Sequence, residues 1–438
     1  MSLLIIVLTL FIVSPVISQL TDSVRIPNSG SIVATVSPPV VVNPQLVIAA
    51  SGSAVDIQAA INEIVNEGGI GDVLIPAGTF NFVEGGEAWR TVNIPAGINL
   101  IGATPQLDSD GQVVEWETIL RMPYDVPGSW SSMPTWFRIT GNGDPNEPSR
   151  FSNIKLVGYR SISQSSTTLH QGISIDSVIN FRVDHCMFEH TCGGAVRTWG
   201  LQCNGVIDHC RLINYYGYDN LVNYENGNIG YGVDSGRAFS GSEYEPDSEV
   251  LGKYTDYSIY IEDCYFSKWR HCISPGHGVH IVLRYSTIDQ DFGHYSLDVH
   301  GLRDTGTNRW GTRASEIYEN RLTNAEDMRC IFQNGGGSGV FFNNYIDSTY
   351  QANSIVLYSE DYVSSATWHL KNYYMWSAQG PLNPPSSHNG DVFSADRNVE
   401  VYWSRQAGDP SDANYPNVDP SWSIAGYEPY TYPHPLTL

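Results

Sequence analysis

Between Lys268 and Arg329 the sequence concentrates groups able to move protons and hold anions. This window carries five of the twelve histidines: His271, His277, His280, His294 and His300. It has eight Lys or Arg against eight Asp or Glu, whereas the whole chain has 23 against 46. Imidazole is the side chain suited to giving or taking a proton near neutral pH, and guanidinium groups suit planar anions. Within Ser296-Leu-Asp-Val-His-Gly301 the period-two alternation of a strand puts Asp298 and His300 on one face. Three other short runs, 195–199, 271–274 and 328–332, have the same character. If they stack with Val196, Ile273, Val299 and Ile331 inward, Arg197 and Ser274 join that face, while His271 and Arg329 fall at inward positions or strand ends. The loop bearing Arg303, Asp304 and Arg313 and the strand start at Glu316 lie alongside. A carboxylate, an imidazole and two or three guanidinium groups form a candidate site. The alternative is a set of surface side chains solvated or bonded to one another.

Stacking of this kind needs elements of regular spacing, and the chain repeats them. The segments 181–188, 206–212, 259–266, 281–288, 316–322, 340–346 and 368–374 each alternate and end in a small or amide residue. That column runs Cys186, Cys210, Cys264, Ser286, Asn320, Asn344, Asn372, with spacings of 24, 54, 22, 34, 24 and 28. Coils of 22 to 28 residues cannot bury an apolar face singly but can when stacked. Parallel strands about 4.8 Å apart would align the column into a ladder, its cysteines serving as small buried residues. A Cys186–Cys210 or Cys192–Cys203 bridge is the alternative. The 54-residue interval predicts one further coil plus a loop. Its Tyr-, Gly- and Asn-rich text, including Tyr231, suits either a platform for sugar rings or a turn-rich cover.

Nearer the N-terminus, Ser53 opens an amphipathic helix over 55–66, with Ile57, Ile61, Ile64 and Val65 on one face and Gly68-Gly69 at its end. Short strands with turns follow at 72–80 and 92–102. The series DIQAAINEI…GGIGDVLIPAGTF…VNIPAGINLIGA resembles the N-terminal cap and first coils of the pectate-lyase-like superfamily of secreted proteins. The resemblance implies an all-β fold: a single-stranded right-handed parallel β-helix, or solenoid, with a short N-terminal capping helix. The Pro-rich ending GYEPYTYPHPLTL resembles the terminal segment of many such proteins and is expected to lie back along the last coils.

Totals bound what this architecture can do. A net charge of −23 argues against nucleic acid, whose phosphates require a basic face, and makes an anionic polymer depend on a local basic patch or a bridging cation such as Ca²⁺. The apolar run Leu3–Ile17 is too short for a bilayer and precedes small residues, which predicts a signal peptide over 1–19 and a secreted protein. The n-region lacks Lys and Arg, so an uncleaved anchor is the alternative. No other segment reads as membrane-spanning. The remaining division is a lead-in over 20–50, the β-helix over 51–375 and a C-terminal segment over 376–438 packing on it. Oligomeric state is not legible.

The expected partner is a polysaccharide, bound and cleaved. In β-elimination a base, His300 or Arg303, removes the C5 proton of a uronate whose carboxylate is neutralised by Arg or a metal. In hydrolysis two carboxylates flank the bond, Asp298 with Asp304 or Glu316. Elimination is preferred here, and a non-catalytic adhesin or structural carbohydrate-binding protein is the alternative. The Gly276-His277-Gly278 run matches polygalacturonases, but their upstream Gly-Asp-Asp is missing. The run DVHG…GTRASEIYEN resembles a segment of secreted β-helix proteins and supports Asp298, His300, Arg313 and Glu316. Arg303 joins them as a catalytic candidate. Arg197, Tyr231, His271, His277 and Arg329 are the substrate-binding candidates.

Overall fold

A computed structural model gives the structure at residues 45–84, 88–123, 134–158, 170–191, 193–214, 230–236, 248–289, 295–300, 311–323, 330–334, 337–346, 355–357, 370–377, 380–381, 392–395, 399–403 and 427–438. The signal-peptide reading, Cys192, His294, Arg303, Asp304, Arg309 and Arg329 lie outside these residues, as do the side chains of Ile331 and Asn372. Among the described residues three long sheets, here A, B and C, contain twelve, nine and eleven strands. The chain visits them in turn. Phe181–Asp184 lies in A, Met187–Glu189 in B and Gly194–Trp199 in C, before Gly205–Asp208 returns to A. Successive coils pair in parallel, and among the described residues antiparallel pairing is confined to local hairpins such as Gln106–Leu107 with Val113–Glu115. The protein is a parallel β-helix. Among the described residues no helix is long and apolar enough to cross a membrane.

Apolar ladders hold the coils together. In A, Phe151, Val183, Ile207, Ile261, Leu283 and Ile317 are in register; in B, Leu156, Phe188, Leu212, Phe266, Ile288 and Leu322 are. All are buried, and each contributes about 1.5–3 kcal/mol by leaving water. At the corner between A and B successive middle coils turn through one residue with positive φ: His185, His209, Asp263, Tyr285, Glu319 and Asn343, at φ between 51° and 56°. The expected column follows directly. Asn344 Oδ1 accepts from the Asn320 amide, Asn320 Oδ1 accepts from the Ser286 amide, and Ser286 Oγ accepts from the Cys264 amide. Cys186, Cys203, Cys210, Cys264 and Cys272 are buried free thiols, so neither Cys186–Cys210 nor any bridge among these five exists.

The helix spans Ala54–Glu67, capped by Ser53, whose side chain accepts from Asp56 N–H at 3.2 Å. Ile57, Ile61 and Ile64 are buried, whereas Val65 is 43% exposed and leaves the apolar face expected for it.

Three sequence expectations change. The 54-residue interval adds no coil: Gly205–Asp208 pairs directly with Ser258–Glu262, and the extra residues are insertions before and after Tyr231–Ser235 in C. Phe332, not Ile331, is in register with inward Leu297. The C-terminal residues 427–438 lie against middle coils of A rather than the last ones. Tyr430 packs on Tyr254 and Tyr260, and the carbonyls of Tyr430 and Thr431 accept from Arg284.

Candidate active site

Sheet C presents one outward column in register, Arg138, Ser174, Arg197, Asp234, Ser274 and Asp298, the last fixed by the pairing of Ile273 with Leu297. The alternating inward residues Ile173, Val196, Val233, Ile273 and Leu297 are buried, which is why the polar column faces away from the core. Trp199 and His300 lie two residues further along their chains, on the same face.

At the C-terminal end of this column Asp298 Oδ2 meets His300 Nε2 at 2.7 Å and His271 Nε2 at 3.3 Å. Asp298 and His271 are each 1% exposed at the side chain, and His300 is 17% exposed. A carboxylate only accepts hydrogen bonds. Both imidazoles therefore carry their proton on Nε2 when Asp298 is ionised, and the lone pair of His300 is on Nδ1. Ser274 Oγ lies 3.4 Å from His300 Nε2. His271 starts the strand in register with Tyr231, and Cys272 beside it is buried in the core. Its ring stacks on Tyr231 at 5.3 Å, and Tyr231 is itself buried. Tyr231 props His271 rather than offering an open sugar platform.

Two coils toward the N-terminus stands a group that the sequence reading missed. Asp234 lies 3.6 Å from Arg197 Nε, with side-chain exposures of 26% and 37%. Burial pushes the Asp234 carboxyl above the usual carboxylate range, opposed by the charges of Arg197 and His300. The Arg197 guanidinium lies over the Trp199 ring at 5.0 Å, and its Nε makes no hydrogen bond among the described residues. Trp199 crosses onto the next coil because position 236 is glycine: a Cβ there would overlap Trp199 Cζ3 and approach His277. His277 meets the Trp199 ring edge-to-face at 5.1 Å. Its Gly-His-Gly run is the turn from C to A, with positive φ at His277 and Gly278.

Two candidates lie elsewhere. Glu316 belongs to A, buried beneath the C-terminal segment. It pairs with His280 Nε2 at 2.7 Å, accepts from Gly252 N–H at 2.8 Å and accepts from the Tyr427 hydroxyl. His280 Nδ1 in turn meets Ser258 Oγ at 2.8 Å. Arg313 starts the same strand region with its guanidinium over Tyr257 at 4.6 Å. Neither is brought to Asp298, although Thr312 N–H donates to the carbonyl of His300 at 2.8 Å. The structure thus gathers Asp298, His300, His271, Tyr231, Arg197 and His277 on one face and separates Glu316 and Arg313 from them.

The carboxylates do not converge on a common point. Asp298 is tied to two histidines and Asp234 to Arg197. Among the described residues no three His, Cys, Asp or Glu side chains are placed to share a cation. The geometry offers an imidazole base oriented by a buried carboxylate, with a guanidinium and a second, more exposed carboxyl nearby.

No known protein family and no curated protein matches the chain. Solved structures that align with it include the A-module of mannuronan C-5 epimerase AlgE6 from Azotobacter vinelandii, at 14% identity and a TM-score of 0.38 over 84% of this chain and 95% of that one. The surface adhesin PfbA of Streptococcus pneumoniae aligns at 11% identity and 0.39, over 80% and 96%. An alginate lyase from Paenibacillus sp. str. FPU-7 aligns at 12% and 0.28, over 72% and 97%. At such scores the fold rests on the chain's own sheet topology, and function rests on the site.

Proposed function

We propose that the protein is a secreted polysaccharide lyase that cleaves a uronate-containing polymer by β-elimination at the C face. The observation that carries this reading is the His300 imidazole, partly exposed and held by buried Asp298 between two rings. A buried carboxylate fixes the tautomer and orientation of a base, the division of labour seen in His–Asp dyads. Arg197 pairs with the substrate carboxylate, which acidifies the C5 hydrogen. His300 Nδ1 takes that proton, the C–H electron pair becomes the new C4=C5 bond, and the C4–O bond breaks. Trp199 supplies an apolar face for a sugar ring beside Arg197. Hydrolysis by paired carboxylates fits less well: Asp298 is enclosed, and Glu316 is buried on another sheet. Secretion is carried over from the apolar run at Leu3–Ile17.

The test incubates the protein with uronate and neutral polysaccharides, with and without Ca²⁺, following ultraviolet absorbance of unsaturated ends together with reducing ends. Both should rise on a uronate polymer and be lost in His300→Ala. Reducing ends without absorbance would make the protein a hydrolase. Silence on both, with retention on a polysaccharide column, would make it a binding protein.

A further inference from the structure

We infer that Asp234 is the proton donor to the departing glycosidic oxygen, working opposite His300 across the face of sheet C. This rests on the lyase reading above and adds the group that completes its proton inventory. Elimination leaves an alkoxide at the broken C4–O bond, and an alkoxide is a poor leaving group unless it receives a proton as the bond breaks. A donor must therefore lie near the base, on the same face, and be able to hold a proton before the reaction. Asp234 meets each condition. It is in register with Ser274, which is in turn opposite Asp298, so two strand spacings of about 4.8 Å each separate Asp234 from Asp298, and Ser274 Oγ between them lies 3.4 Å from His300 Nε2. His300, like Arg197, favours the ionised form of Asp234. Asp234 is 26% exposed, unlike enclosed Asp298, so its carboxyl can touch a bound chain.

Substrate binding itself would load the donor. The charged groups acting on Asp234 are Arg197 from the preceding coil and His300 from the C-terminal side. Arg197 holds the Asp234 carboxyl only loosely, 3.6 Å away, and keeps Nε without a hydrogen bond. When a uronate carboxylate engages that guanidinium, Asp234 loses much of the charge that favours its ionised form, and a sugar ring on Trp199 excludes water from it. Both changes favour the protonated acid. In the reaction Asp234 gives its proton to the leaving oxygen while His300 receives the C5 proton. The site ends with one proton moved between two groups and no net redox change, and exchange with solvent resets it.

The test compares wild type, Asp234→Asn, Asp234→Glu and His300→Ala on two substrates. One is a uronate polymer; the other is a uronate whose C4 leaving group is para-nitrophenoxide, which departs without protonation. Asp234→Asn should lose about 10²–10⁴-fold in kcat on the polymer and only a few-fold on the phenoxide substrate. Asp234→Glu should partly restore the polymer rate, and His300→Ala should fail on both. The basic limb of the kcat profile, which reports the donor, should vanish in Asp234→Asn. Equal losses on the two substrates, or polymer turnover at the wild-type rate, would overturn the assignment of Asp234 while leaving His300 as base. A wild type that forms no unsaturated ends on either substrate would overturn both readings together.

Discussion

At the scale of single residues, the site differs from an ordinary charged surface in how its partners are divided. Asp298 is enclosed and bonded to two imidazoles, whereas Asp234 and Arg197 are partly open and only loosely paired. Trp199 depends on one backbone atom count: Gly236 lets the indole lie across the next coil. Gly236→Ala should displace the ring and raise KM several-fold with kcat nearly unchanged, as steady-state kinetics on the polymer would show; a fall in kcat at constant KM would separate Trp199 from substrate binding. The sequence made Asp298 and His300 legible because Ser296–Gly301 alternates cleanly. It concealed Asp234, because Tyr231-Gly-Val-Asp-Ser235 is interrupted by glycine and embedded in loop-like text with no column residue to mark a coil. Glu316 was misplaced for a different reason. Its neighbourhood in sequence is that of Asp298 and His300, but Tyr295–Val299 belongs to C and Ala314–Tyr318 to A.

At the scale of elements, the A–B corner is what keeps the coils in register. Asn320 donates to the Leu283 carbonyl at 2.9 Å and accepts from the Ser286 amide at 3.0 Å, all within a buried turn. Asn320→Ala leaves a donor and an acceptor unsatisfied and should cost about 2–4 kcal/mol, measured by equilibrium denaturation. A loss below 1 kcal/mol, roughly the net value of one hydrogen bond, would mean that the ladder follows from the strands rather than fixing them. The column was readable in the sequence since one small or amide residue ends each alternating segment, with four of the six intervals at 22 to 28 residues. The interval around Tyr231–Ser235 reads as an extra coil because length alone does not distinguish a coil from inserted residues.

At the scale of the whole molecule, the C-terminal residues lock the middle of sheet A. Arg284 is fully buried, bonded to Glu262 at 2.8 Å, to Tyr318 at 3.1 Å and to the carbonyls of Tyr430 and Thr431 at 2.6 and 2.8 Å. Arg284→Met removes the cation and leaves Glu262 enclosed, with an expected loss of about 3–5 kcal/mol by thermal or denaturant unfolding. His434 adds a pH dependence. Burial, and then Arg284, push its imidazole down to about 4, and its backbone N–H donates to Glu262 at 2.8 Å. The unfolded chain binds the proton near pH ~6.5 and the folded one only near 4, so stability falls as pH drops through that window. The effect is on the order of 3 kcal/mol at full protonation. Proteolysis of the C-terminal segment should quicken between pH ~6.5 and 4, and His434→Phe should flatten that dependence. An unchanged slope in the variant would assign acid sensitivity to other groups. That this ending lies back on the coils was an expectation from its resemblance to the endings of other β-helix proteins; its place on Arg284 was not legible, because that buried residue is distant in sequence.

The central claim is that His300, oriented by Asp298, removes a proton from carbon. Its most direct test is the rate of unsaturated product formation from a uronate polymer deuterated at C5, for wild type, His300→Ala and Asp298→Asn, each confirmed folded by circular dichroism. The account predicts slower turnover of the deuterated polymer by wild type and losses of about 10²–10⁴-fold in both variants. Product formation at the wild-type rate in His300→Ala would contradict it, as would bond cleavage that yields no unsaturated ends.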